Sequence, residues 1–167
     1  GPVPGWHYAV VVGYDASRDR FILRSGTERR KATEAAYFVA TWERAGRWAM
    51  VALEPGVLPP AADLGRYMEA VAGLEAVGRL DAAAPAYAAA ARQWPTEPLP
   101  RFALANLAYT RGDLVAAERG YREVAHLDPA DAAARNNRAE VLGRMGCGTA
   151  ARQEVEAARV LAGEGPL

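Results

Sequence analysis

The feature that most limits how this chain can fold is a period. Gly78, Gly112 and Gly146 are spaced by 34 residues, and so are Ala83, Ala117 and Ala151. Tyr87, Tyr121 and Val155 keep the same spacing, as do Pro95, Pro129 and Gly163. Four columns at one period mean that one supersecondary unit is stacked on itself, since such a unit buries its apolar face only against its neighbours. Each column has a steric reading. Glycine takes the turn between paired helices, where a positive φ is needed. Alanine lies where two helices cross, and tyrosine fills the gap between units. Proline stops a second helix and opens the connection to the next unit. Pro85 falls in the early part of a second helix, which is tolerable near the first turn and costly further in. Gly146-Cys147-Gly148 loosens the third turn.

The period covers only part of the chain, and composition marks where it begins. Residues 1–60 hold 9 alanines and 8 aromatics, whereas residues 61–167 hold 29 alanines and 6 aromatics. The first part, rich in Val, Tyr, Trp and Phe, suits strands. The second suits closely packed helices, because alanine is the best helix former. Glu54 to Pro60, with three prolines, reads as a short stiff linker. Trp6 to Tyr14 is a strand, Asp15 to Asp19 a hairpin turn, and Arg20 to Arg24 a second strand broken by Ser25-Gly26. Thr33 caps a helix whose face carries Phe38, Trp42 and Ala45, and Gly46 ends it. Trp48 to Leu53 reads as a third strand. Arg29-Arg30-Lys31, which holds the only lysine, reads as a solvated loop, with anion or partner docking as the alternative. Three strands and one helix make a thin core, so this part is expected to pack against something else.

The 34-residue unit resembles the tetratricopeptide repeat, a helix–turn–helix module, best in Leu104 to Pro129. The resemblance covers three units, 64–97, 98–131 and 132–165. It implies a curved array whose concave face is lined by first helices, with repeat positions 2, 5, 9 and 12 facing inward. In repeat one these are Gly65, Met68, Ala72 and Glu75; in repeat two, Leu99, Phe102, Asn106 and Tyr109. In repeat three they are Ala133, Asn136, Glu140 and Gly143, with Arg144 beside them. Amides can bond an extended peptide backbone and aromatics can grip side chains. Phe102, Asn106, Tyr109, Asn136 and Arg144 are therefore the expected peptide-binding residues. The basic clamp that some of these arrays use for a C-terminal carboxylate is not present in full. The other reading of the stripe is a face that packs against the chain's own first part or a further segment.

The run His7 to Asp15 (HYAVVVGYD), then FILRSG and a helix with Phe38 and Trp42, resembles another family over about residues 6–54. It is similar to the C-terminal half of papain-like cysteine peptidases of the bacteriocin-processing, double-glycine-cleaving type. The order of the parts resembles a bacterial envelope subfamily in which such a domain precedes tetratricopeptide repeats. The resemblance implies that His7 is the base to a cysteine nucleophile, whose thiolate an adjacent imidazole generates. Where the family has Asp-Pro, this chain has Arg24-Ser25, so Ser25 is a weak orienting candidate without charge. The family's nucleophile comes from an N-terminal half-domain, and Cys147 lies outside any family motif. The chain opens Gly1-Pro2 with no initiator Met, which reads as cellular processing or trimming and points to a piece of a longer protein. The expected partners are thus that missing peptidase half and a protein or peptide on the repeats, in the bacterial periplasm or envelope.

The remaining arithmetic is mainly exclusion. Twenty basic against twenty acidic residues give zero net charge, without bulk attraction to nucleic acid. No apolar run approaches the ~18 residues of a membrane span. One cysteine and two histidines argue against a disulfide framework or a metal site, and no cofactor motif is present. The expected fold class is α+β: a small antiparallel sheet with one helix in 1–57, a linker at 58–63, and an all-α repeat array in 64–167. The expected function is the C-terminal fragment of a cysteine peptidase with a protein-binding module, inactive alone for want of a nucleophile. The alternatives are a non-catalytic interaction scaffold and a pseudoenzyme.

Overall fold

The computed structural model describes residues 8–163. The chain divides into two compact units, one ending at Ala52 and the other beginning at Leu53. The first contains β1 (Val10–Asp15), β2 (Arg20–Ser25), β3 (Glu28–Glu34) and α1 (Ala35–Arg44). The strands form an antiparallel sheet in the order β1-β2-β3. Asp15 opens the first turn by accepting from the Ser17 backbone NH and hydroxyl, at 3.1 and 2.7 Å. Gly26, at φ +58°, takes the first central position of the two-residue β2–β3 turn, where glycine has no steric penalty.

Three expectations for this unit change. Arg29-Arg30-Lys31 is not a loop but lies on β3, with Lys31 opposite Leu23. The strand was masked by its composition: it is an edge strand, exposed almost throughout, so no apolar alternation marks it. Thr33 is in β3 opposite Phe21, and Glu34 precedes α1 without a side-chain cap. Trp48 to Leu53 has no ladder partner among the described residues, although its composition suits a strand. The expected face of α1 forms with Phe38 and Trp42, whereas Ala45 follows the end of the helix and is exposed. Phe38 lies 4.4 Å from Phe21 and 6.4 Å from Trp42 between ring centroids. The Trp42 indole NH donates to the Trp48 carbonyl at 2.7 Å, giving the ring's polar edge a partner. The core is thin, with Leu23 at 6% exposure, while Val10, Val11, Val12 and Tyr14 of β1 stay exposed.

Among the described residues the second unit holds six helices in three consecutive helix–turn–helix pairs. These are α2 (Leu64–Ala76) with α3 (Leu80–Gln93), α4 (Pro98–Thr110) with α5 (Leu114–Leu127), and α6 (Ala132–Arg144) with α7 (Gly148–Leu161). Every first helix starts 34 residues after the last, and so does every second helix. The glycine column explains the turns: Gly78, Gly112 and Gly146 have φ of +75°, +78° and +80°. Asp63, Asp113 and Asp131 cap α2, α5 and α6 by accepting from the backbone NH three residues on, at 2.8–3.0 Å.

The core follows the other columns. Ala83 and Ala117 have no exposure, and Tyr87 and Tyr121 have 2%, whereas Val155 in the last repeat has 43%. Gly120 allows α5 to approach α4, because a Cβ there would lie 2.7 Å from the Ala105 Cβ. Pro85 is the sixth residue of α3 and the helix runs through it. The Pro-containing stretch packs with this unit, and Gly56, at φ +92°, lies against the Pro85 carbonyl.

Candidate functional site

The stripe on the first helices is held by contacts within repeat two and between repeats two and three. Phe102, one turn into α4, meets the Tyr121 ring of α5 edge-on at 5.7 Å. The Tyr121 hydroxyl donates to Asn106 Oδ1 at 2.6 Å. That bond fixes the amide's orientation and leaves its NH2 as the donor. The Tyr109 hydroxyl donates to the Glu140 carboxylate, joining α4 of repeat two to α6 of repeat three. One turn after Glu140, the Arg144 guanidinium lies 4.9 Å from the Tyr109 ring centroid. Four of the five expected peptide-binding residues are thus held in two sets of contacts, Phe102 and Asn106 through Tyr121, and Arg144 and Glu140 through Tyr109. Asn136, the fifth, is exposed one turn before Glu140 on the same helix. Leu99 extends the apolar end at 51% exposure.

Repeat one differs. Met68 is not available on this face; it is buried in the core with Val71, Ala83 and Tyr87. The Tyr87 hydroxyl donates to Glu75. Burial first, then this bond and the carboxylate charge, push the Tyr87 hydroxyl well above the ordinary tyrosine range. Burial also raises Tyr121, against a hydrogen bond from Asn137 that lowers it. These tyrosines act as neutral donors that hold the stripe rather than as acids or bases.

A charged network underpins repeats two and three. Arg138 contacts Glu118 and Glu154, each at 2.7 Å, and Arg135 lies 3.3 Å from Glu154. The Arg138, Glu118 and Glu154 side chains are largely buried, so the network ties α5, α6 and α7 together behind the stripe. Sequence reasoning missed it. The residues are 16 and 20 positions apart, and only the 34-residue register places them side by side.

The catalytic candidates gain no geometry. His7 lies outside the described residues, and Ser25 ends β2 opposite Glu28. Cys147 is an exposed turn residue before α7. No helix among the described residues is long and apolar enough to cross a membrane.

No protein-family model matches the chain, and no curated protein matches it. Solved structures do. The chain is similar to a crystal structure of MamA at 14% identity and TM-score 0.58, over 61% of this chain and 60% of that one. It thus spans about three fifths of that MamA structure. It is similar to the Yersinia enterocolitica type III secretion translocator chaperone SycD at 17% identity and TM-score 0.59, over 65% and 83%. It is also similar to the first tetratricopeptide domain of Spaghetti (RPAP3), solved with the HSP90 peptide SRMEEVD, at 15% identity and TM-score 0.56, over 64% and 87%. At such identities the likeness establishes architecture alone: α2 to α7 have the tetratricopeptide-repeat fold, preceded by a small antiparallel sheet with one helix.

Proposed function

We infer that the repeat unit is a protein-interaction scaffold, and that the face carrying Phe102, Asn106, Tyr109, Asn136 and Arg144 binds an extended peptide of a partner. One observation carries this reading. Phe102, Asn106, Tyr109 and Arg144 are held by ring and hydrogen-bond contacts to neighbouring helices, while Asn136 and Arg144 stay exposed. Holding side chains before the ligand arrives reduces the ordering cost of binding. The bound HSP90 peptide of the RPAP3 structure supports the reading by analogy of fold. The full chain is tested on a peptide array with Phe102→Ala and Asn106→Ala. Loss of binding in both variants is expected, and unchanged binding in both rejects the face as the site.

A second reading rests on HYAVVVGYD, whose last six residues form β1, paired with β2, from which Phe21 contacts Phe38 of α1. On that reading the first unit is the C-terminal half of a papain-like cysteine peptidase of the bacterial envelope, with His7 as base and Ser25 as orienting residue. The upstream coding sequence tests it. A Cys-Gly-Pro segment preceded by glutamine supports it, and a start codon directly before Gly1 rejects it. If the segment is found, thiol-directed peptidase labelling of the full-length protein that disappears in His7→Ala separates an enzyme from a pseudoenzyme.

A further inference from the structure

The side of α4 turned away from the stripe carries a separate feature. Arg101, Leu104, Ala108 and Arg111 recur at three- and four-residue steps, about half a turn around from Phe102, Asn106 and Tyr109. Here α3, α4 and α5 border a cleft of about 490 Å³. That is within the range of roughly 300–1,000 Å³ usual for ligand pockets. Its floor is cut low by small residues, Ala105, Ala108, Ala116 and Gly120. Three arginines line it: Arg101, Arg111 and Arg119.

The charge at this cleft is not balanced from within. Of the two acids lining it, Asp113 is engaged as the cap of α5, accepting from the Ala116 NH at 3.0 Å. Glu123 is half-exposed and 3.7 Å from Arg101. Arg101 Nη1 is buried and has no hydrogen-bond partner among the described residues. Arg111 donates one NH to the Leu80 carbonyl at 2.7 Å. Among the described residues neither Arg111 nor Arg119 has a carboxylate within ion-pair distance. Guanidinium groups match carboxylates as planar, two-point donors, and do so best where water is partly excluded.

We propose that this cleft is a second binding site, for an extended acidic peptide segment whose carboxylates engage Arg101, Arg111 and Arg119. The spacing suits that ligand. Arg101 and Arg111 are ten positions apart, or ~15 Å along the helix. Carboxylates four residues apart on an extended chain are separated by ~13 Å. The alanine and glycine floor leaves room for the peptide backbone between them. The site is on the other side of α4 from the stripe, so it does not depend on what the stripe binds.

The probe is a fluorescein-labelled Gly–Ser peptide with glutamate at every fourth position, titrated by anisotropy against the full chain at low salt. Saturable binding is expected, weakened about tenfold or more by Arg119→Glu. Arg152→Glu on α7 makes the same charge change elsewhere and is expected to leave binding intact. Arg119→Ala, with thermal melting of each variant, keeps the comparison sound if charge reversal disturbs folding. No saturable binding by the unaltered chain, no effect of either Arg119 variant, or an equal effect of Arg152→Glu would overturn the proposal.

Discussion

Replacing Gly120 with alanine sets two opposed effects against each other, and the structure says which is larger. Gly120 is inside α5, where alanine in place of glycine stabilises a helix by about 1 kcal/mol. The new Cβ, however, would lie 2.7 Å from the Ala105 Cβ and 3.3 Å from its Cα. Ordinary carbon contacts begin near ~3.5 Å, so α4 and α5 must part by ~0.8 Å. Ala105 cannot give way alone, because its Cβ has no rotatable end. Overpacking of this kind costs about 1–3 kcal/mol. Gly120→Ala is therefore expected to lower stability by ~1 kcal/mol net. Gly73→Ala is the matched control: Gly73 is inside α2 and nothing lies within 4 Å of its Cβ position. It gains the same helix propensity with no clash, so it should stabilise by up to ~1 kcal/mol. Urea unfolding followed by far-UV circular dichroism measures both. The same separation of α4 from α5 draws Phe102 away from Tyr121, so Gly120→Ala should also weaken peptide binding, while Gly73→Ala should not. If Gly120→Ala stabilises the chain as much as Gly73→Ala, the close-crossing argument is refuted.

Three further outcomes are expected. Arg138→Ala leaves Glu118 and Glu154 without their shared cation at 14% exposure each, and should destabilise repeats two and three by roughly 2–4 kcal/mol in thermal or urea unfolding. A loss under ~0.5 kcal/mol would mean that the network behaves as a surface one. Gly112→Val forces a β-branched residue to φ +78° and should cost more than about 1 kcal/mol, read as a lower urea midpoint. The Tyr87 hydroxyl is raised in the folded chain, so its contribution is fully present below the unfolded tyrosine value near ~10 and is lost as pH climbs above it. The decline of stability above pH ~10 should therefore be shallower in Tyr87→Phe, as measured by unfolding at stepped alkaline pH; an unchanged slope would remove Tyr87 from that account.

How far the molecule can be read from its sequence differs between its two units. In the repeats a column is a steric requirement repeated three times, and that made the turns at Gly78, Gly112 and Gly146 and the crossings at Ala83 and Ala117 legible together. The resemblance to the tetratricopeptide repeat placed the stripe residues on the first helices, where they lie, although Met68 of repeat one is in the core. Their partners were not legible: the Tyr109–Glu140 bond spans 31 residues, and the Arg138 network is satisfied by two other helices. In the first unit the signals are single and local. Strand propensity in Trp48 to Leu53 describes a segment, whereas a strand exists only where a neighbour completes its ladder. The converse holds for Glu28–Glu34, whose charges hide a strand that β2 pairs. There the better signal was Gly26, placed for a two-residue turn directly after Ser25.

The central claim is that the repeat face led by Phe102, Asn106 and Tyr109 is where a partner binds. The most direct measurement is a nitrogen-15 NMR titration of the full chain with the best-bound array peptide. The account predicts that the largest amide and side-chain shifts fall on Phe102, Asn106 and Tyr109 of α4 and on Asn136, Glu140 and Arg144 of α6. Shifts concentrated on α1, on the strands or on α7, with α4 and α6 unmoved, would contradict it.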